Sequence, residues 1–282
     1  MAARSAKGRA DRRNATRSAR LLPASVVTFT TDFGSRDPFV GIIKGVILGI
    51  APTARLVDLT HAIPPQNVAA GAHALASAAP WFPPGTIHVA VVDPGVGTRR
   101  RALVVETADA YFVGPDNGVL SLAASRRATR RIVDVSRSRY RLRPVSRTFH
   151  GRDVFAPIAA ALASGVAPEE LGVVVRTMRR LDLARPRRRG AGLVGEVLWV
   201  DGFGNLATNV GPADLAGFRG RRLSITIAGH VVPFRPSYAS VPAGRTVALI
   251  NSSSLLEVAV NHGSAADLLG AGPGSRIHVG AA

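Results

Sequence analysis

Apolar and polar positions along this chain follow two regimes, with a change near residue 190. In the first regime, apolar and β-branched runs alternate with stretches whose apolar residues recur at helical spacing. Val26–Thr31 predicts a strand running into Asp32-Phe33-Gly34, and Phe39–Ile50 predicts a helix that ends before Pro52. Ala54–Leu59 predicts a second strand; Val68–Ala79 predicts a second helix, stopped by Pro80, Pro83 and Pro84. Thr86–Val92 is an unbroken apolar strand ending on Asp93, and Ala102–Thr107 with Tyr111–Val113 predicts a hairpin. Val154–Ser164 predicts a third helix, opened by Asp153 as its cap and stopped near Gly165. Strands alternating with helices, and apolar along their whole length, predict an α/β unit with a parallel sheet covered on both faces.

Beyond residue 190 the runs are short and divided by Gly, Pro and Asn. Gly195–Val200, Leu206–Val210, Arg222–Ala228, Val231–Phe234, Val247–Asn251 and Leu255–Val260 read as strands of a small antiparallel sandwich or barrel. The expected organisation is an Arg-rich disordered tail over 1–24 and an α/β domain over 25–178. An Arg-rich linker over 179–191 and a β domain over 192–282 complete it.

Composition narrows the chemistry. The 282 residues contain no cysteine, which excludes disulfides, a thiolate nucleophile and cysteine-based metal sites. No apolar run approaches the ~18–20 residues of a membrane span, and no secretory signal core is present, so a cytoplasmic protein without membrane contact is expected. The formal charge of +18 resembles a nucleic-acid signature until it is located. Seven basic residues against one acid fall within 1–20, and seven against one within 176–189. Mobile solvated arginines in a tail and a linker account for most of the excess, and no aromatic interleaving accompanies them, so nucleic acid is not the expected partner. Lys44 is the only lysine beyond the tail.

Two glycine-rich stretches concentrate the candidate chemistry: Val92-Asp93-Pro94-Gly95-Val96-Gly97 and Phe149-His150-Gly151-Arg152-Asp153. Polar glycine turns at strand ends are where open α/β sheets bind ligands. Asp93 and Arg100 lie seven residues apart across a Gly/Pro turn, so they can face each other, and His150 has the pKa class for proton handling. Asp32 suits a ribose diol or, alternatively, a helix N-cap. Asp58, Thr60 and His61 offer a further strand-end group. No spacing indicates a metal, and no Gly-x-Gly-x-x-Gly or P-loop predicts a polyphosphate. Asp201-Gly202-Phe203-Gly204-Asn205 and Asn251-Ser252-Ser253 end strands in the second half, as ordinary turns or as readers of an adenine edge and an ammonium group.

The blocks Thr31–Gly34, Asp58–His61, Val92–Gly97, Gly114–Gly118, Phe149–Asp153, Asp201–Asn205 and Asn251-Ser252, in that order, closely resemble the S-adenosyl-L-methionine (SAM) hydroxide adenosyltransferases. These are relatives of the SAM-dependent fluorinase and chlorinase, and the likeness spans roughly residues 26–280. The resemblance implies a Rossmann-like N-terminal domain, a C-terminal β-barrel, and a homotrimer with SAM between neighbouring subunits. It implies hydrolysis of SAM to adenosine and methionine without a cofactor, with Asp93, Arg100 and His150 acting on the water. Asp32 maps to the ribose-binding acid; Asp201, Phe203, Asn205 and Ser252 map to contacts of the C-terminal domain. Asp37, Gln66, Gly151 and Tyr238 complete the implied substrate contacts. The halogenases carry Tyr at position 93 and lack the histidine at 150. Their ribose-side tryptophan aligns with Gln66 and their carboxylate-binding arginine with Ser253. A SAM-dependent halogenase and a non-catalytic SAM or adenosine binder are the alternative readings.

Overall fold

The computed structural model describes residues 26–182 and 184–281, so the expected tail over 1–24 lies outside the described residues. The first unit runs β1 (Val26–Thr31), α1 (Phe39–Ile50), β2 (Arg55–Thr60), α2 (Val68–Ala78), β3 (Thr86–Val91), β4 (Ala102–Thr107), β5 (Ala110–Pro115), α3 (Ser121–Ser125), β6 (Thr129–Asp134), α4 (Ala156–Ala163) and β7 (Val173–Val175). These strands form one sheet in the order β2-β1-β3-β5-β4-β6-β7. β2, β1, β3 and β5 run parallel, and β4, β6 and β7 extend the sheet antiparallel.

Alternation along β3 shows why both faces are covered. Val89 and Val91 pack with Ile43 and Ile47 of α1 and Ile158 and Leu162 of α4. Ala90 and Val92 turn to the other face and meet Leu75 of α2 and Ala123 of α3. Every residue of β3, β4 and β5 is buried, so these strands carry largely apolar runs, with Thr86, His88, Glu106 and Thr107 as buried polar exceptions. Asn67 caps α2 by accepting a hydrogen bond from the Ala70 N–H at 2.9 Å.

The third predicted helix needs correction. A π-helical turn over Gly151–Phe155 precedes α4, and Asp153 does not cap it. The Asp153 carboxylate is buried and accepts instead from the Arg152 guanidinium and the Ser146 N–H.

The second unit comprises β8 (Arg187–Arg189), β9 (Gly192–Val200), β10 (Leu206–Thr208), β11 (Leu223–Ile227), β12 (His230–Pro233), β13 (Thr246–Ile250), β14 (Leu256–Val260), α5 (Ala265–Leu269) and β15 (Arg276–Ala281). Its antiparallel sheet runs β12-β11-β15-β9-β10-β14-β13, with β8 added beside β9. A bridge from Phe234 to Ala248, with the Arg235 N–H donating to the Ala248 carbonyl at 2.8 Å, brings the two ends together into a nearly closed barrel. Leu206, Ile225, Val258 and Ile277 fill it. The basic stretch between the units is tied down at several points: the Arg179 N–H donates to Asp116, the Leu181 N–H to Ser121, and Arg188 lies over the Phe218 ring. Across the junction, the His73 ring of α2 lies against Trp199 of β9, with centroids 4.6 Å apart and the planes tilted by 33°. No helix among the described residues is long and apolar enough to cross a membrane.

Two buried histidines make this fold acid-sensitive. Burial, reinforced by Arg126, lowers His73 to about 4. Burial, reinforced by Arg127 and partly opposed by Asp109, lowers His88 to about 4. A depressed histidine contributes stability that is present above its unfolded value and lost as pH falls toward its folded value. Urea unfolding at pH 5 is therefore expected to show a stability lower than at pH 7.5 by on the order of 2 kcal/mol per histidine. A His88→Gln variant is expected to show a shallower loss.

Candidate active site

Asp93, Arg100 and His150 come together at the carboxyl end of β3. Asp93 lies two residues beyond the end of the strand, and the Asn117 side-chain amide donates to the intervening Val92 carbonyl at 2.8 Å, fixing the backbone just before the acid. The turn then folds back through Val96 N–H to Asp93 carbonyl and Thr98 N–H to Gly95 carbonyl. It carries Arg100 onto Asp93 across the seven-residue spacing. Nε donates to Oδ1 at 2.9 Å and Nη2 pairs with Oδ2, a two-point ion pair with side chains only 6% and 9% exposed.

Gly97 explains how the distant Phe149-His150 loop reaches this turn. It sits at φ +77°, and a Cβ there would lie 2.3 Å from the Arg147 carbonyl oxygen. Only glycine permits that approach. His150 then presents Nδ1 to Arg100 Nη2 at 2.7 Å. A guanidinium only donates, so Nδ1 accepts and the imidazole is neutral with its proton on Nε2. Burial and the Arg100 charge push His150 below its ordinary value, against the opposing pull of Asp93 and Asp153. The Arg100 guanidinium also lies over the Phe155 ring, 5.4 Å from its centroid.

Around this group stand Phe33, Phe39 and Phe149, packed edge to face with centroids 5.2–6.0 Å apart. Gly151 leaves room for them, since a Cβ there would sit 3.2 Å from both the Phe33 and Phe149 rings. Asp32 is not a helix cap: α1 begins at Phe39 behind Pro38 with no side-chain cap, and Asp32 Oδ2 accepts from the Gln66 N–H at 2.8 Å. The Gln66 backbone, at φ +65°, thus meets Asp32 while its side chain is exposed. Asp37 is exposed and makes no hydrogen bond among the described residues.

The five residues singled out in the second unit gather elsewhere. Asp201, Phe203, Asn205, Tyr238 and Ser252 all line one pocket of about 830 Å³, together with Trp199 and Glu257. Asp201 holds the turn over 201–205 by accepting from the Phe203 and Asn205 N–H groups and the Asn205 side-chain amide. Phe203 projects with 82% of its surface exposed.

Glu257, missed in the sequence, is the organising group of this pocket. Its buried carboxylate accepts from the Tyr238 hydroxyl at 2.7 Å and the Asn251 amide at 2.9 Å. Asn251 Oδ1 in turn accepts the Ser253 and Leu255 N–H groups, shaping the Ser252-Ser253 turn. Burial and then Glu257 push the Tyr238 hydroxyl up to about 12. An acid inside an apolar strand segment, Leu-Glu-Val-Ala-Val, was the available signal. None of Asp32, Asp93, Arg100 or His150 lines this pocket, so one chain presents the candidate residues as two separate groups.

The N-terminal group can hold a small polar molecule between a carboxylate acceptor and an imidazole N–H donor, with Arg100 fixing both. The C-terminal pocket is acidic, and among its lining residues only His262 is titratable toward positive charge. Among the described residues, no three His, Cys, Asp or Glu are grouped to hold a metal ion.

The comparisons with known proteins agree in direction. Residues 27–172 match the model of the SAM hydroxide adenosyltransferase N-terminal domain, and residues 195–278 match that of its C-terminal domain. The chain is 44% identical over 262 residues to the (R)-S-adenosyl-L-methionine hydrolase of Thermus thermophilus, covering 90% of this chain and 98% of that protein. It is 41% identical to the enzyme of the same name from Salinispora tropica, covering 92% and 99%. The fluorinase of Nocardia brasiliensis is 28% identical, covering 86% of this chain and 92% of that protein. The crystal structure of an uncharacterised conserved protein from Thermotoga maritima superposes with a TM-score of 0.84 at 34% identity, covering 90% of this chain and 99% of that one.

The charges around His150 set a testable sign. Its ring, followed by NMR, is expected to titrate below 6.5. Asp93→Asn removes a stabilising negative charge and moves the midpoint down, whereas Arg100→Leu removes a repelling positive charge and moves it up.

Proposed function

The chain belongs to the SAM hydroxide adenosyltransferase family, and from that membership we propose that it hydrolyses SAM to adenosine and L-methionine by attack of water on the ribose C5′. The observation that carries the reading is the Asp93–Arg100–His150 group. Asp93 accepts a hydrogen bond, and then the proton, from the attacking water. Arg100 keeps that carboxylate aimed, and His150, donating from Nε2, orients the water oxygen. The new bond is C5′–O and the broken bond is C5′–S, with the electron pair leaving on the methionine sulfur. The sulfonium is already an excellent leaving group, so the reaction needs no cofactor. The protein has to desolvate and align one water, for which effective-molarity effects supply on the order of 7–11 kcal/mol.

Asp32, with Oδ1 left free of protein hydrogen bonds among the described residues, accepts from the ribose hydroxyls. Hydrolysis is favoured over halogenation because a carboxylate at position 93 repels a halide and accepts a proton. In the same reading, three copies close a ring. The pocket containing Asp201, Asn205, Tyr238 and Ser252 from one copy then faces the Asp32–Asp93–His150 group of the next. The support for this is the separation of the two groups within one chain.

Incubation with SAM is expected to yield adenosine with or without chloride; 5′-chloro-5′-deoxyadenosine would overturn hydrolysis in favour of halogenation. Asp93→Ala and His150→Ala are expected to lose most adenosine formation while still binding SAM by calorimetry. Asp32→Ala is expected to weaken SAM binding by about 1.5–3 kcal/mol through lost charge-assisted hydrogen bonds. Mixing Asp93→Ala with Asn205→Ala protein, after demonstrated subunit exchange, is expected to restore some activity, since a fraction of shared sites then has both halves intact. A mixture that stays inactive rules out the shared site.

A further inference from the structure

The Asp58-Leu59-Thr60-His61 block is used by no step of the reaction, yet it forms a continuous polar chain leading to Asp32. Lys44 Nζ of α1 donates to Asp58 Oδ2 at 2.6 Å. His61 Nε2 lies 3.0 Å from Asp58 Oδ1, an electrostatic contact without hydrogen-bond geometry. On the other side of the ring, Thr31 Oγ1 lies 2.7 Å from His61 Nδ1. Thr31 is fully buried, and its hydroxyl oxygen accepts the Phe33 N–H at 3.2 Å.

The directions along this chain are mutually consistent. A carboxylate oxygen 3.0 Å from Nε2 favours the ring proton on that nitrogen, which leaves Nδ1 to accept the Thr31 hydroxyl hydrogen. Burial acts to raise Asp58, but the Lys44 ammonium and the nearby His61 ring outweigh it and hold the carboxyl below its usual range. The same segment grips the turn through its backbone as well. The Gly34 N–H donates to the His61 carbonyl at 2.8 Å, the Ile63 N–H to the Thr31 carbonyl at 3.4 Å, and the Gln66 N–H to Asp32 itself at 2.8 Å.

We propose that Thr31, His61 and Asp58, anchored by Lys44, are positioning residues that hold the Asp32-Phe33-Gly34 turn in the geometry that receives the ribose diol. The inference rests on the assignment of Asp32 to the ribose. The chain enters the sheet from its edge strand β2 and ends one residue before the acid, so its effect falls on binding and not on the water. A hydroxyl with no solvent contact, spent on a donor and an acceptor simultaneously, fixes the Thr31 rotamer and the start of the turn together.

Thr31→Val replaces the hydroxyl with a methyl of similar shape and is the decisive variant. It is expected to raise the Kd for adenosine and the KM for SAM about tenfold, leaving kcat within threefold; Thr31→Ser is expected to restore both. Asp58→Asn is expected to act in the same direction more weakly. In an Asp32→Ala background, Thr31→Val is expected to cause no further loss of adenosine affinity, because its effect passes through that acid. Wild-type affinity in Thr31→Val would overturn the proposal. So would a loss that persists undiminished in the Asp32→Ala background, or one that Thr31→Ser fails to rescue. Adenosine binding requires no turnover, so failure of SAM hydrolysis in the wild-type protein would be seen separately from failure of the relay.

Discussion

The guanidinium of Arg100 is the constraint on which the rest of the N-terminal site depends. It can only donate, and it reaches two different groups: a carboxylate engaged through both oxygens and an imidazole whose Nδ1 accepts. One cation therefore orients both neighbours at once. The surrounding sequence serves this contact. Asn117 clamps the strand end, Gly97 lets a loop fifty residues away come within touching distance, and Phe155 covers the guanidinium face.

The second pocket is organised by the opposite sign. There a buried carboxylate, Glu257, gathers neutral donors around itself and through Asn251 shapes the serine turn. The two halves thus use one device, a charged centre that gathers protein hydrogen-bonding groups around itself. What remains open in each half is a small number of directed positions, which suits recognition of a ligand carrying both a positive sulfonium and a neutral nucleoside. Hydrophobic burial builds both scaffolds, and the polar groups decide what they accept.

Much of this was legible before the fold was known, and the exceptions are instructive. β1 and α1 begin and end where the apolar pattern does: β1 buries a continuous run, and α1 seats Ile43 and Ile47 in the same core at helical spacing. β6 and β15 escaped notice. Thr129–Asp134 opens with two arginines and Arg276–Ala281 alternates with His278, so neither reads as a buried run. The π-helical turn at Gly151–Phe155 has no local sequence signature, and Asp153 reads as a cap although its partners come from Arg152 and the backbone of Ser146. The contact of Asp93 with Arg100 follows from their spacing across a glycine turn. The contact of Arg100 with His150 depends on a loop packing that spacing does not encode.

The contact of His73 with Trp199 at the junction of the units has a spectroscopic consequence. The chain holds two tryptophans. Trp81 is 83% exposed, whereas Trp199 lies against a neutral imidazole and forms part of the wall of the C-terminal pocket. Their emission therefore separates by environment, a red-shifted component from Trp81 and a bluer one from Trp199. The molecule carries its own optical reporter of the junction between its two halves, with an internal reference built into the same chain.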